Sequence, residues 1–157
     1  MNKERLKSSL SFAGRCISAL GLGHCVFTYG FDFSTTEGGS MSPVIPREGT
    51  VLFFEKITPR VRGYKRGDVV VANSVTGNFN VCKRVAGLPG DLVTADILGK
   101  RKIVVPPGHV WLVGDNRELS VDSRSYGPVP MAMLSGVVRL ALYPYPRFIG
   151  QQLEVVL

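Results

Sequence analysis

Beyond residue 33 the chain is a succession of short apolar runs separated by Gly, Pro and charged residues. Residues 50–55 (TVLFFE) and 67–72 (GDVVVA) are rich in the β-branched and aromatic side chains that favour strands. Residues 78–85 form a third such run. Residues 103–105 and 109–113 flank the turn Pro106-Pro107-Gly108, and 137–142 follow Gly136. Strands this short, closed by turn residues, predict a mainly β domain, a sheet folded over into a barrel. One helical turn is predicted after residue 33, near 131–134. No internal repeat, low-complexity tract or linker divides this part of the chain.

The first 33 residues follow another pattern. Lys3, Arg5, Lys7 and Arg15 face a single acid, Glu4, and the sixteen residues 16–31 then contain no Lys, Arg, Asp or Glu. Sixteen residues fall short of the ~20 that span a bilayer as a helix. Extension back to residue 8 supplies the length but takes in Arg15, which must then snorkel or face protein. The basic flank would hold the N-terminus on the positive-inside face. A cleaved signal peptide has the same charge pattern, but no A-x-A-like site follows. A buried core helix is also uncharged over such a length. The expectation is a basic N-terminus and transmembrane anchor over 1–33, spanning about 12–31, and a folded domain over 34–157.

Composition narrows the partners. At 157 residues, 45% hydrophobic and 20% charged, the chain holds one domain with a real core rather than a disordered tail. The net charge of +7 suits an anionic surface. It is not gathered on one helix, so a lipid bilayer is an expected partner and nucleic acid is not. Tyr64-Lys65-Arg66 is the one spot that suggests a basic nucleic-acid-binding barrel. Cys16, Cys25 and Cys82 form no C-x-x-C pair, which argues against zinc, and their odd number argues against a secreted disulfide scaffold. A Cys16–Cys25 pairing stays open. His24 and His109 have no ligand spacing, and no cofactor or metal is expected.

Three segments carry chemistry. Ser40 follows Gly38-Gly39 and precedes Met41-Ser42-Pro43, a turn where backbone can approach a substrate closely. Gly-Gly-Ser is also common in plain loops. Lys83 is more specific. On an alternating strand it shares a face with Val81 and Val85, while Cys82, Arg84 and Ala86 share the other. A lysine desolvated between valines loses its proton more easily and can act as a general base. On an edge strand it would snorkel to water instead. The turn Gly87-Leu88-Pro89-Gly90-Asp91 closes that strand. The third segment, from Gly114-Asp115-Asn116 through Ser120, Asp122, Ser123 and Arg124, is dense in short polar groups. Asp122 and Arg124 can form an ion pair that fixes the loop, and Ser120 can donate to or accept from the lysine amine. A solvated hairpin turn is the plainer reading. Serine, lysine and a positioning loop together suggest a Ser-Lys hydrolase, which needs no histidine.

In this order, the three segments resemble the type I signal peptidase family of membrane-bound Ser-Lys proteases, from about Gly38 to Pro130. The resemblance implies that Ser40 is the nucleophile and Lys83 the general base, with Ser120, Asp122 and Arg124 supporting. It implies a signal-peptidase-like folded β domain behind one N-terminal transmembrane helix. The small size resembles the mitochondrial inner membrane branch. Residues 23–27, 81–84 and 108–111 look like the first of its two sister subunits, and Tyr143-Pro144 with Pro146-Arg147 look somewhat like the second. That branch implies removal of sorting presequences from proteins delivered to the intermembrane space, by a heterodimer of sister subunits. Two departures stand out. Gly38 occupies the position where some bacterial relatives carry a serine oxyanion donor, and Val44-Ile45 follow the Ser-Met-Ser-Pro motif in place of Thr-Leu. A self-cleaving repressor would need an upstream helix-turn-helix pattern, which is missing. A non-catalytic basic β-barrel or scaffold subunit is the remaining alternative.

Overall fold

The structure, a computed structural model, describes residues 3–46, 49–95 and 101–150, with side chains from Phe12 onward. Helix α1 (Lys3–Cys25) runs directly into a π-helical turn, Val26–Gly30. From Phe12 its side chains face outward. Ile17 and Leu20 are 71% and 74% exposed, so the uncharged run is not a core helix. No described helix is long and apolar enough to cross a membrane. At about 1.5 Å rise per residue, the sixteen uncharged residues reach about 24 Å, short of a ~30 Å hydrocarbon layer. The anchor expected over residues 12–31 therefore has helical form for most of its length but not the apolar length of a span. Cys16, Cys25 and Cys82 are free thiols.

The apolar run does not end at the helix. Phe31 begins strand β1 (Phe31–Thr35), which pairs antiparallel with β2 (Val51–Glu55). Phe31 and Phe33 alternate with Asp32, and both rings meet Phe53, at 5.4 and 5.6 Å. Residues 31–33, placed by the sequence with the anchor, are thus part of the sheet.

The further strands are β3 (Val69–Asn73), β4 (Asn80–Gly87), β5 (Leu92–Thr94), β6 (Lys102–Val104), β7 (His109–Val113), β8 (Val129–Pro130), β9 (Leu134–Tyr143) and β10 (Arg147–Phe148). The main sheet has the order β1-β2-β9-β3-β4-β7-β8, with β10 added to β9. β5 and β6 form a separate hairpin. The sheet is covered on both faces. Val69 and Val71 belong to a core with Met41, Ile45, Leu52 and Phe54, whereas Val70 and Ala72 join Val85, Val110, Leu112 and Val137. That is why residues 69–72 are apolar without alternation. Besides the expected helical turn, found as a 3₁₀ turn at Met131–Met133, the described residues of the domain hold two short helices, α2 (Ile57–Arg62) and α3 (Ser123–Tyr126).

Candidate active site

Ser40 lies in the loop between β1 and β2. Gly38 has φ +84°, a backbone conformation that costs other residues strain. The loop then tightens: the Ser42 N–H donates to the Gly39 carbonyl at 3.1 Å and the Ile45 N–H to the Met41 carbonyl at 2.8 Å. Met41 and Ile45 are buried and pin the turn to the core. The Ser40 carbonyl accepts from the Asn116 N–H at 2.9 Å, which ties this loop to the polar segment after β7.

Lys83 comes from the middle of β4, opposite Val70 of β3. It is 4% exposed, so its amine does not snorkel to water. Its Nζ donates to Ser120 Oγ at 3.0 Å, and Ser120 Oγ in turn donates to Asp122 Oδ2 at 2.6 Å. A hydroxyl has one proton. With that proton directed at Asp122, Ser120 offers Lys83 only an acceptor, which leaves the lone pair of a neutral amine directed elsewhere. Burial lowers the Lys83 pKa and Arg124 adds to the effect, while Asp122 and Cys82 oppose it.

Asp122 is fully buried and organises the loop. Arg124 donates to it through Nε at 2.8 Å and Nη2 at 2.7 Å, and the Gly114 N–H donates at 2.9 Å. Desolvation would raise its pKa, but the hydrogen bonds from Arg124, Ser120 and Gly114 outweigh it and keep the carboxylate charged. The chain thus brings together all five residues named from the sequence: Ser40 and Lys83 at one cavity, and Lys83, Ser120, Asp122 and Arg124 in one row of hydrogen bonds.

Ser40 and Lys83 both line two adjoining depressions. The larger, of about 580 Å³, is walled by Ser34 to Gly38 from the β1 end and by Asn80 to Cys82 from β4. The smaller, of about 230 Å³, is bounded by Ser74, Thr76, Phe79, Leu119, Val121 and Tyr126. Neither His24 nor His109 is among the lining residues. β4 pairs with β7 only from Arg84 onward. Among the described residues, the other edge of Asn80–Lys83 has no strand partner, and it borders the larger cavity.

Three contributions were not read from the sequence. Gly114 touches both halves of the site: an added Cβ would lie 2.2 Å from Ser120 Oγ and 2.5 Å from the Ser40 carbonyl oxygen. Arg84, 0% exposed, makes a two-pronged ion pair with Asp115, Nε–Oδ1 2.7 Å and Nη2–Oδ2 2.6 Å, and donates to the Gly67 carbonyl at 2.8 Å. It thereby fastens the loop to β4, the strand that carries Lys83. Ser123 Oγ accepts from the Leu112 N–H at 2.9 Å and anchors the far end of the loop to β7. Their place inside the recognised motifs was the available signal. Tyr64, by contrast, is half-buried with its hydroxyl donating to the Leu134 carbonyl at 3.3 Å, and its ring is no open stacking surface for a base.

The family model described as "Signal peptidase, peptidase S26" matches residues 9–99 and 94–143, and the chain belongs to that family. Among curated relatives, the mitochondrial inner membrane protease subunit 1 of Xenopus tropicalis is 40% identical, over 89% of this chain and 86% of its own. The protein of that name from Schizosaccharomyces pombe is 39% identical, over 83% and 85%. A solved signal peptidase I from Enterococcus faecalis V583 is 25% identical, with a TM-score of 0.40 over 47% of this chain and 95% of that one.

Proposed function

We propose that this chain is a membrane-bound serine endopeptidase of the mitochondrial inner membrane, facing the intermembrane space. In this reading it removes sorting presequences from proteins delivered there, as one subunit of a complex with a sister subunit. The observation that carries the reading is a buried lysine amine, hydrogen-bonded to Ser120 and opening on the cavity it shares with Ser40. The names of the relatives supply the compartment and the complex.

In the mechanism, the lone pair of neutral Lys83 takes the proton from Ser40 Oγ. The oxygen attacks the scissile carbonyl carbon, and the backbone N–H of Ser40 faces the developing oxyanion. As the tetrahedral intermediate collapses, the Lys83 ammonium returns its proton to the departing amine. An ester on Ser40 remains. Lys83 then deprotonates a water, which attacks the ester carbonyl and releases the new C-terminus, and Ser40 recovers its proton. Ser120, Asp122 and Arg124 keep the amine oriented throughout. The substrate lies extended along the free edge of Asn80–Lys83, as an added strand.

α1 serves as the membrane attachment in this proposal. Along its described length it exposes Phe12, Ile17, Leu20 and Leu22. The test is presequence cleavage by the full-length chain in membranes with its partner subunit. Ser40→Ala and Lys83→Ala should each abolish cleavage with assembly retained. Unchanged cleavage in either would make this chain a scaffold.

A further inference from the structure

The far end of the described chain returns to the turn that carries Ser40. Arg147 and Phe148 of β10 pair with Ala141 and Leu140 of β9, and the Ile149 N–H donates to the Arg139 carbonyl at 2.9 Å. This pairing delivers two side chains to one loop from opposite sides. From within, Ile149 is 7% exposed and shares a core cluster with Met41 and Ile45, the residues that pin the Ser40 turn. From the solvent side, Arg147 Nη2 donates to the carbonyls of Val44 and Pro43, the latter at 3.4 Å. Among the described residues, neither carbonyl accepts a bond from a backbone N–H.

We propose that residues 147–149 form a clasp that holds the Ser40 turn in its reactive position, with Arg147 as a positioning residue. The inference rests on Ser40 being the nucleophile. The turn needs such a hold because its upstream side is Gly38-Gly39, the most pliant backbone available. Ile149 fixes the depth of the turn and Arg147 its outer rim. The two carbonyls are exposed, so loss of Arg147 returns them to water at little cost in stability. What is lost is the fixed geometry of the segment just after the nucleophile, and attack geometry is sensitive to displacements of about 1 Å. A catalytic defect without a matching stability defect is therefore the signature.

The experiment uses the full-length chain in membranes with Arg147→Ala, Arg147→Lys and Ser40→Ala. Three quantities are read: kcat and KM, the pH profile, and amide exchange at Ser42 and Ile45. In Arg147→Ala, kcat should fall about ten-fold with KM and the pH midpoint unchanged. Exchange at Ser42 and Ile45 should rise about ten-fold while core strands stay protected. Arg147→Lys should recover part of the rate, since an ammonium can serve one carbonyl at a time. Unchanged exchange at both amides overturns the clasp, whatever the activity. Raised exchange with unchanged kcat overturns the positioning role. Retained cleavage in Ser40→Ala would sink the nucleophile assignment instead, and the exchange data would still decide the clasp.

Discussion

Gly114→Ala is a one-methyl change placed between the two halves of the site. The new Cβ would sit 2.2 Å from Ser120 Oγ, 2.5 Å from Ser120 Cβ and 2.5 Å from the Ser40 carbonyl oxygen. Non-bonded carbon contacts settle near 3.5 Å, so each neighbour must retreat by about 1 Å. None can do so freely. Ser120 Oγ is held between Lys83 and Asp122, and the Ser40 carbonyl is held by Asn116. A misplacement of this size costs about 100-fold in rate, equivalent to about 2.7 kcal/mol of barrier. Overpacking should cost about 1–3 kcal/mol of stability, which a single domain tolerates. The assay is steady-state cleavage of a presequence peptide by the full-length protein in membranes, with thermal unfolding in parallel. The expected result is a kcat lowered about 100-fold in a folded protein, with KM little changed. A folded Gly114→Ala protein within about three-fold of wild-type kcat would refute the reasoning that Gly114 sets the spacing of serine and lysine.

The remaining predictions concern the lysine and the scaffold beneath it. In the proposed mechanism neutral Lys83 is the active form, so kcat/KM should rise with pH to a plateau, and burial should place the midpoint below the ordinary lysine value of 10.5. Asp122 raises the Lys83 pKa, so Asp122→Asn should move that midpoint to still lower pH; a midpoint at or above 10.5 in the wild type would rule out a desolvated lysine base. Asp122 itself, with its pKa held below 3.8, stabilises the fold above that pH, and the contribution should disappear as pH falls through the lowered value. Arg84→Ala leaves Asp115 buried without its ion-pair partner and should cost about 3–5 kcal/mol in urea unfolding, whereas an effect below about 1 kcal/mol would show that solvent or a neighbour replaces the guanidinium.

The central strands were legible because apolar runs such as 69–72 have no competing interpretation at that length. The short helices were not. α2 contains Pro59 and is capped by Glu55, whose carboxylate accepts from the N–H groups of Ile57 and Thr58 at 2.9 and 2.7 Å. That cap comes from the end of a strand, outside the usual N-cap position. α3 is four residues long and exists through the Asp122 cap on Arg124. β1 was hidden because Phe31 and Phe33 continue the apolar character of the preceding helix. Ser40, Lys83 and the polar loop were visible as motifs, and strand alternation gave the core-facing side of Lys83. Burial of Arg84 was not visible, because its partner Asp115 is distant in sequence and only the β4–β7 pairing brings them together.

Among the described residues the edge of Asn80–Lys83 is unpaired, and under the proposed mode of substrate binding this bears on timing. An edge of this kind recognises peptide backbone, and it can do so only while a passenger segment lies open with its own N–H and C=O groups unclaimed. Once that segment has joined a helix or sheet of its own, the edge has nothing to grip. Processing would therefore be a race between capture and the passenger's own folding, won during the interval just after delivery. The protease in this account reads the age of a newly arrived chain as well as its residues.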